Sequence, residues 1–530
     1  MLTDRRDPVV NLDMRQRHAE AARQLRACFP GDGSEPLPNL VGGEWSNRGD
    51  AEIESVDPTT GRAFLSVRVA DLETVDQAAR AAAEAGAAWW QMDGQDRARV
   101  LRRAADAIRD HAPHLGLADT LDVGRPIRNT TSRDVERAAR LFEFWAGATD
   151  RLRGASVPVQ PGFANTVVRE PYGVVGAIAP WNYPLTNAAT KLAPALATGN
   201  AVVLKPAEES PVSALLLGRI LHDSGLPKGL VSVLNGPGEV IGAAIVEHPL
   251  IDKISFTGST SVGRLIGGRC GELLKSVSLE LGGKGPFIVF PDADLAAAAA
   301  AATFTAFLNA GQTCTAGTRL LLHESIMDEF LRQLRRHVER LKIGDPLDET
   351  TDFGPIVSER QLQAVREFVE SGAQEGARRL DINVDVPDTG WFHEPVLFSE
   401  VSSSMRIARE EIFGPVLSVF SFGDEDEAVA LANDTEYGLA ASVWTQDNAR
   451  TSRLSATLQA GLIWINCVHA LHAGSPYGGY KSSGVGVEMG EEAIGQLMKV
   501  KSVWTAVEPW RSPWAAHIAA TGQRSPTQPA

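Results

Sequence analysis

A thiol, a carboxylate and an amide are the residues best placed for chemistry. Cys314 stands in Gly311-Gln312-Thr313-Cys314-Thr315-Ala316-Gly317. Small neighbours there leave room for a substrate carbonyl to approach sulfur, as nucleophilic catalysis requires. Buried cysteines are ordinarily inert packing, and Cys28 and Cys270 are read that way. Glu280 follows the apolar run SVSL and precedes two glycines and Lys284. A carboxylate in that setting is costly unless paired or used, and burial raises its pKa towards that of a working base. Asn182 lies in Pro180-Trp181-Asn182-Tyr183-Pro184. Flanking prolines would fix a neutral amide donor before charge develops on an oxyanion, although a plain turn is the better reading of Asn182 when it is taken alone.

Nucleotide-binding candidates are weaker one by one. Gly236-Pro237-Gly238 with Gly242 has the spacing G-x-G-x-x-x-G with a proline inside, which favours a plain turn before a helix. Phe256-Thr257-Gly258-Ser259-Thr260 directly follows the strand-like KIS and opens a helical pattern, so its backbone amides could face a pyrophosphate. Lys205-Pro206-Ala207-Glu208 ends another strand-like run, where a carboxylate can accept the hydroxyls of an adenosine ribose.

These residues need elements to hold them. The runs VVGAIA, NAVVLKP, LVSVLNGPG and KISFTGS alternate with helical patterns, and each ends in a Gly- or Pro-rich turn. That alternation predicts an α/β fold with a parallel, doubly wound sheet, which binds ligands at the carboxyl ends of its strands. Ahead of it, Thr74 with Gln77 resembles a capping box opening a helix to Trp90, and a second helix is predicted over residues 97–111. ASVPVQ and NTVVRE around Pro161-Gly162-Phe163 predict two strands and a turn. The alanines of 296–302 read as helix interior. Residues 1–36 are polar and broken by Pro and Gly, which predicts an extension outside the core; the end, TGQRSPTQPA, predicts a loose tail.

The 530 residues suggest about three domains at roughly 150 residues each. A 44% hydrophobic content is ordinary for a globular protein, and a formal charge of −15 argues against a nucleic-acid or anionic-membrane partner. Four cysteines make no disulfide framework and fit a reducing compartment, so a cytoplasmic location is expected. The N-terminus has no apolar stretch of a secretory signal, and no run is long enough to span a bilayer.

Seven motifs, PWNYP, KPAEESP, FTGSTSVG, ELGGK, GQTCTAG, EEIFGPV and PYGGYKSSGVGVEMG, together resemble those of the aldehyde dehydrogenase superfamily, in its order, over about 37–510. The 34-residue separation of Glu280 and Cys314 (314 − 280) also matches. The resemblance implies an NAD(P)-dependent, hydrolytic enzyme with no metal site. Cys314 would be the nucleophile, Asn182 an oxyanion donor and Glu280 the base for thioester hydrolysis. Lys191 and Glu488 would relay protons from Glu280. It places NAD, with NADP admissible, against Ala179, Pro180, Trp181, Lys205, Glu208, Gly238, Phe256, Gly258, Ser259, Leu281, Glu411 and Phe413. The substrate wall would be Tyr183, Asn187, Thr190, Thr313, Thr315, His469, Leu471 and Tyr477.

The same resemblance implies a Rossmann-type NAD domain at 37–150 and 172–282 and an α/β catalytic domain at 283–490. A β-hairpin oligomerisation element at 151–171 with 491–510 would build a homodimer or homotetramer, flanked by the 1–36 extension and the 511–530 tail. Val487 departs from the arginine common before the Glu488 position. The eight wall positions hold no Lys or Arg, so a neutral aromatic or medium aliphatic aldehyde is expected ahead of a semialdehyde or aminoaldehyde; Thr190 leaves a cation–π cage incomplete. A CoA-acylating dehydrogenase would not need Glu280. A cysteine hydrolase would need a histidine such as His469 or His472 on the thiol. A non-enzymatic relative would be expected to have lost one of these residues.

Overall fold

The structure is a computed structural model that describes residues 8–33, 35–512 and 514. Two α/β sheets carry the fold. Among the described residues the first has eight strands in the order Glu44–Ser46, Asn39–Val41, Val231–Val233, Ala201–Lys205, Val174–Ile178, Lys253–Thr257, Ser276–Glu280, Gly484–Val485. The five central strands are parallel and the flanking ones antiparallel. Taken by first residue, the parallel strands run 231, 201, 174, 253, 276, which is the doubly wound order that reverses beside its first strand. Val, Ile and Leu fill them on both faces because helices cover both sides.

The second sheet has seven strands in the order Arg378–Arg379, Val396–Ser399, Val416–Phe422, Arg319–His323, Pro286–Val289, Ala440–Trp444, Leu462–Ile465. The alanine run lies within the helix Leu295–Phe307 on this sheet, capped by Asp294. A third, three-stranded sheet pairs Ala155–Val157 with Phe163–Pro171, and Phe163–Pro171 with Met498–Ala506 over nine residue pairs. Val500 and Trp504 stand exposed on it.

Two expectations need correcting. The helix predicted from Thr74 starts earlier, at Leu72, because Asp71 is its N-cap and accepts from the Thr74 amide at 2.7 Å. Of the segment 1–36, expected outside the core, the described part packs into it. The helix Pro8–Arg26 buries Ala21, Ala22 and Leu25 in the same cluster as the first sheet, and Phe29 follows them. Its few apolar residues fall on one helical face, which a composition reading misses. Of the expected tail, only residues 511, 512 and 514 lie inside the described residues.

His18 fastens that helix. It bridges Asp57 at 2.7 Å and Asp345 at 2.8 Å, with Arg17 also on Asp345 at 2.7 Å. Burial alone would lower the imidazole, but the hydrogen bonds and charges of Asp345 and Asp57 outweigh it and push it up to about 9. A histidine raised in the folded state contributes stability that is complete below its unfolded pKa of about 6.5 and is lost as pH rises through the folded value. His18→Ala should therefore cost about 3 kcal/mol at pH 6, by leaving the buried Asp57 without its imidazolium and Asp345 with Arg17 alone, and markedly less near pH 10. Denaturant melts at the two pH values check this; an equal loss at both would contradict the bridge.

Candidate active site

Strand topology explains why distant residues meet. Ala179 to Asn182 follow the first parallel strand, Lys205 to Glu208 the second, Thr257 to Ser259 the fourth, and Glu280 ends the fifth. All leave the carboxyl edge of the sheet, where the reversal of strand order opens a crevice. That crevice is a cleft of about 1480 Å³ reaching across to Cys314 on the second α/β unit. It is lined by every residue expected to touch cofactor or substrate except Gly238, which sits behind Glu208.

Cys314 is half-buried at the end of a tight turn. Asn309 and Ala310 both adopt left-handed φ (56° and 55°) ahead of Gly311, a strained run of the kind that gathers at functional sites. Side-chain amides hold it. Asn182 Nδ2 donates to the Gln312 carbonyl (3.0 Å), Asn309 Nδ2 to the Asn182 carbonyl (3.0 Å), and the Val357 amide to Gln312 Oε1 (2.9 Å). Asn182 carries two N–H bonds and spends this one on the turn, so the amide is fixed beside the thiol. Burial pushes the Cys314 thiol up to about 11, against the Tyr477 hydroxyl, 3.2 Å from Sγ, whose hydrogen bond lowers it.

Glu280 is buried, and neither carboxylate oxygen has a hydrogen-bond partner. Burial, with the Glu488 charge added, raises its carboxyl well above the ordinary range, partly offset by Lys191. Glu488 accepts from Lys191 Nζ at 2.6 Å, and that ammonium also donates to Thr257 Oγ1 (2.8 Å) and Ser255 Oγ (3.1 Å). Lys191 does not line the cleft but stands directly behind it.

The remaining crevice has the parts of a nucleotide site. Lys205 Nζ holds Glu208 at 3.0 Å. Ser259 caps the helix Thr260–Glu272, turning its first amides towards the cleft. Trp181 and Phe413 meet edge to face at 5.2 Å, Phe413 with a left-handed φ of 54°. Glu411 accepts from the Gly283 amide at 2.9 Å, and burial pushes its carboxyl up to about 7.

On the substrate side Tyr183 donates to or accepts from Thr313 at 2.8 Å. His469 contacts Thr305 (3.1 Å) and Thr315 (3.5 Å), and His472 accepts from the Gly474 amide (3.0 Å), so neither histidine is bonded to the thiol. Sequence reasoning missed the arginines of the cleft, Arg133 and Arg137 among them. These two lie about 180 residues before Cys314, across the π-turn Thr130–Asp134 and the helix Val135–Ala146. There they read as ordinary solvated charges, and no local signal marks them. Tyr477 was expected in the wall, but its contact with the sulfur was not.

The aldehyde dehydrogenase family model matches residues 45–503. The chain belongs to the aldehyde dehydrogenase family. Retinal dehydrogenase 2 of Homo sapiens is 41% identical over 481 residues, 88% of this chain and 93% of that protein. A solved aldehyde dehydrogenase from Burkholderia cenocepacia superposes with a TM-score of 0.88 at 41% identity, covering 90% and 98% of the two chains. The indole-3-acetaldehyde dehydrogenase of P. syringae, solved with NAD+ and IAA, has a TM-score of 0.88 at 36% identity over 92% and 99%. This aldehyde dehydrogenase is therefore an α/β oxidoreductase with a Rossmann-type sheet and a catalytic sheet facing each other across the cleft.

In the free enzyme, alkylation of Cys314 by iodoacetamide should keep accelerating to about pH 11 and not level off near pH 9. Tyr477→Phe should move the profile up by about one pH unit, by removing a hydroxyl that stabilises the thiolate. Mass spectrometry of the Cys314 peptide reads both; a plateau near pH 9 would contradict the buried environment.

Proposed function

We propose that the protein oxidises an aldehyde to a carboxylic acid through a thioester on Cys314, with NAD as cofactor. The observation that carries this reading is the pairing of a half-buried thiol with a buried carboxyl, Glu280, whose two oxygens have no protein partner. A buried carboxyl left unsatisfied costs stability, and keeping its oxygens free is what a base that takes a proton from water requires.

Cys314 Sγ adds to the aldehyde carbon as its thiol proton passes to the Glu280 carboxylate, which releases it through Glu488 and Lys191. The developing oxyanion takes hydrogen bonds from Asn182 Nδ2 and the Cys314 amide, each worth about 3 kcal/mol in comparable sites. A nicotinamide held beside Glu411 and Phe413 would accept the hydride that leaves this carbon, which turns the adduct into the thioester. Glu280 then takes a proton from the water that attacks the thioester, the acid leaves, and the thiol is restored. Glu488 and Lys191, joined behind Glu280, pass the proton outward. The free carboxyl favours hydrolysis over transfer to CoA. The histidine contacts with Thr305, Thr315 and Gly474 speak against a cysteine hydrolase.

The crevice fits a dinucleotide on its own chemistry. A carboxylate pinned by a buried lysine suits a ribose diol, capped helix amides suit a pyrophosphate, and an aromatic pair with Glu411 suits a nicotinamide riboside. The NAD+ complex of the P. syringae relative supports the same cofactor.

The division into an NAD domain (37–150 and 172–282), a catalytic domain (283–490) and an oligomerisation element (151–171 with 491–510) belongs to this reading. So does a homodimer or homotetramer built on the exposed strand Met498–Ala506. Four free thiols favour the cytoplasm. Near the sulfur, Tyr183, Thr313, His469 and Tyr477 favour a neutral aromatic or aliphatic segment next to the aldehyde carbon.

Glu280→Gln should give a burst of about one reduced nicotinamide per active site, followed by slow turnover. In the parent enzyme the acid limb of kcat should fall well above the ordinary carboxylate range, because Glu280 must lose its proton to act; the variant should lack that limb. Rapid-mixing absorbance over a pH series decides, and full steady turnover by the variant would assign the base elsewhere.

Glu208 should set a preference for NAD, since a ribose phosphate would meet its charge at a cost on the order of 1–4 kcal/mol. Glu208→Gln should improve kcat/KM with NADP more than with NAD. Equal use of both cofactors by the parent enzyme would remove Glu208 from that role.

A further inference from the structure

Two arginines of the cleft have no carboxylate of their own. Five arginines line it. Arg125 is bound to Asp134 and lies over the Tyr183 ring at 3.9 Å. Arg140 is held by Glu136 at 2.7 Å, and Arg360, by the nucleotide end, by Glu209 at 2.9 Å. The carboxylates nearest the mouth, Glu136 and Glu143, are already taken by Arg109 at 2.8 and 2.7 Å. Among the described residues, Arg133 and Arg137 make no hydrogen bond and no ion pair; Arg133 only stands over the exposed Phe304 ring at 5.6 Å. Lys205, the lysine in the lining, is spent on Glu208.

Arg137 is half-buried in the lining, and its guanidinium has no anion beside it, which leaves its hydrogen-bond donors open to a ligand in the cleft. Its field reaches the reacting centre: the Arg137 charge lowers Cys314, Tyr477 and His469 alike. His469, driven down to about 4 by burial first and then by Arg133 and Arg137, stays neutral and cannot be the cation of the site. The wall near sulfur is therefore neutral, while the wall beyond it carries two free planar forks of the type that recognises carboxylates.

We propose that Arg133 and Arg137 select an aldehyde bearing a carboxylate at the end remote from its reacting carbon. A neutral spacer would lie along Tyr477, His469 and Leu471. This rests on Cys314 being the aldehyde's nucleophile. It turns aside the expectation of a wholly neutral substrate, which considered eight wall positions and neither arginine.

Two matched pairs test it with NAD: 4-carboxybenzaldehyde against benzaldehyde, and succinic semialdehyde against butyraldehyde. In at least one pair the carboxylated member should have a kcat/KM about tenfold higher, mostly through KM, and the advantage should shrink with added salt. Arg137→Met should cut that ratio by about tenfold, Arg137→Lys should keep part of it, and the exposed Arg133→Met should lose less. A parent ratio at or below one in both pairs would overturn the proposal while leaving the dehydrogenase reading intact. Equal losses for both members in Arg137→Met would also overturn it, by making the arginine an aid to the thiolate. No reduced nicotinamide from any of the four aldehydes would sink the dehydrogenase reading, and the proposal with it.

Discussion

Everything in the site hangs on how closely two backbones pass at Gly282 and Gly283. A Cβ on Gly283 would run into the Cys314 carbonyl, and one on Gly282 into the Glu411 carboxylate. Only hydrogen fits against that backbone carbonyl, while a side chain at 282 would push the Glu411 carboxylate off the Gly283 amide. This approach sets Glu280, at the end of one sheet, opposite a thiol that belongs to the other. The Gly283 amide also donates to Glu411, so the same two residues join base, nucleophile and nicotinamide-side carboxylate. The glycines are needed here for want of volume; neither has a left-handed φ.

Burial supplies the electrostatics. The carboxyls of Glu280 and Glu411 are raised and the Cys314 thiol is raised with them, each first because water is excluded. Local partners then set the differences. Glu411 has an amide, the thiol has a phenol, and Glu280 has neither. Lys191 supplies the compensating charge at one remove, through Glu488, so Glu280 keeps its own oxygens clear.

Much of this could be read from the chain. The strands ending at Lys205, Thr257 and Glu280 were legible because short buried runs closed by Gly or Pro have few other readings. Cys314, Glu280 and Asn182 were legible because small or rigid neighbours mark them. The N-terminal helix was hidden, since Ala21, Ala22 and Leu25 are too few to stand out in a polar segment, and His18 looks like any surface histidine until Asp57 and Asp345 close on it. Arg133 and Arg137 were hidden for a related reason. Whether an arginine faces solvent or a cleft depends on the placement of a helix far from the motifs, and nothing within a few residues encodes that.

The short strand Gly484–Val485 lays the end of the catalytic unit against Ser276–Glu280, and three residues later Glu488 reaches Lys191, 297 positions back. The chain therefore cannot finish its site as it emerges from the ribosome. Thiol, amide and carboxylate can all be synthesised, and both sheets largely laid down, before the last contact behind Glu280 exists. The polar path behind Glu280 therefore closes only after residue 488 has been made, well after the thiol and the carboxylate it serves.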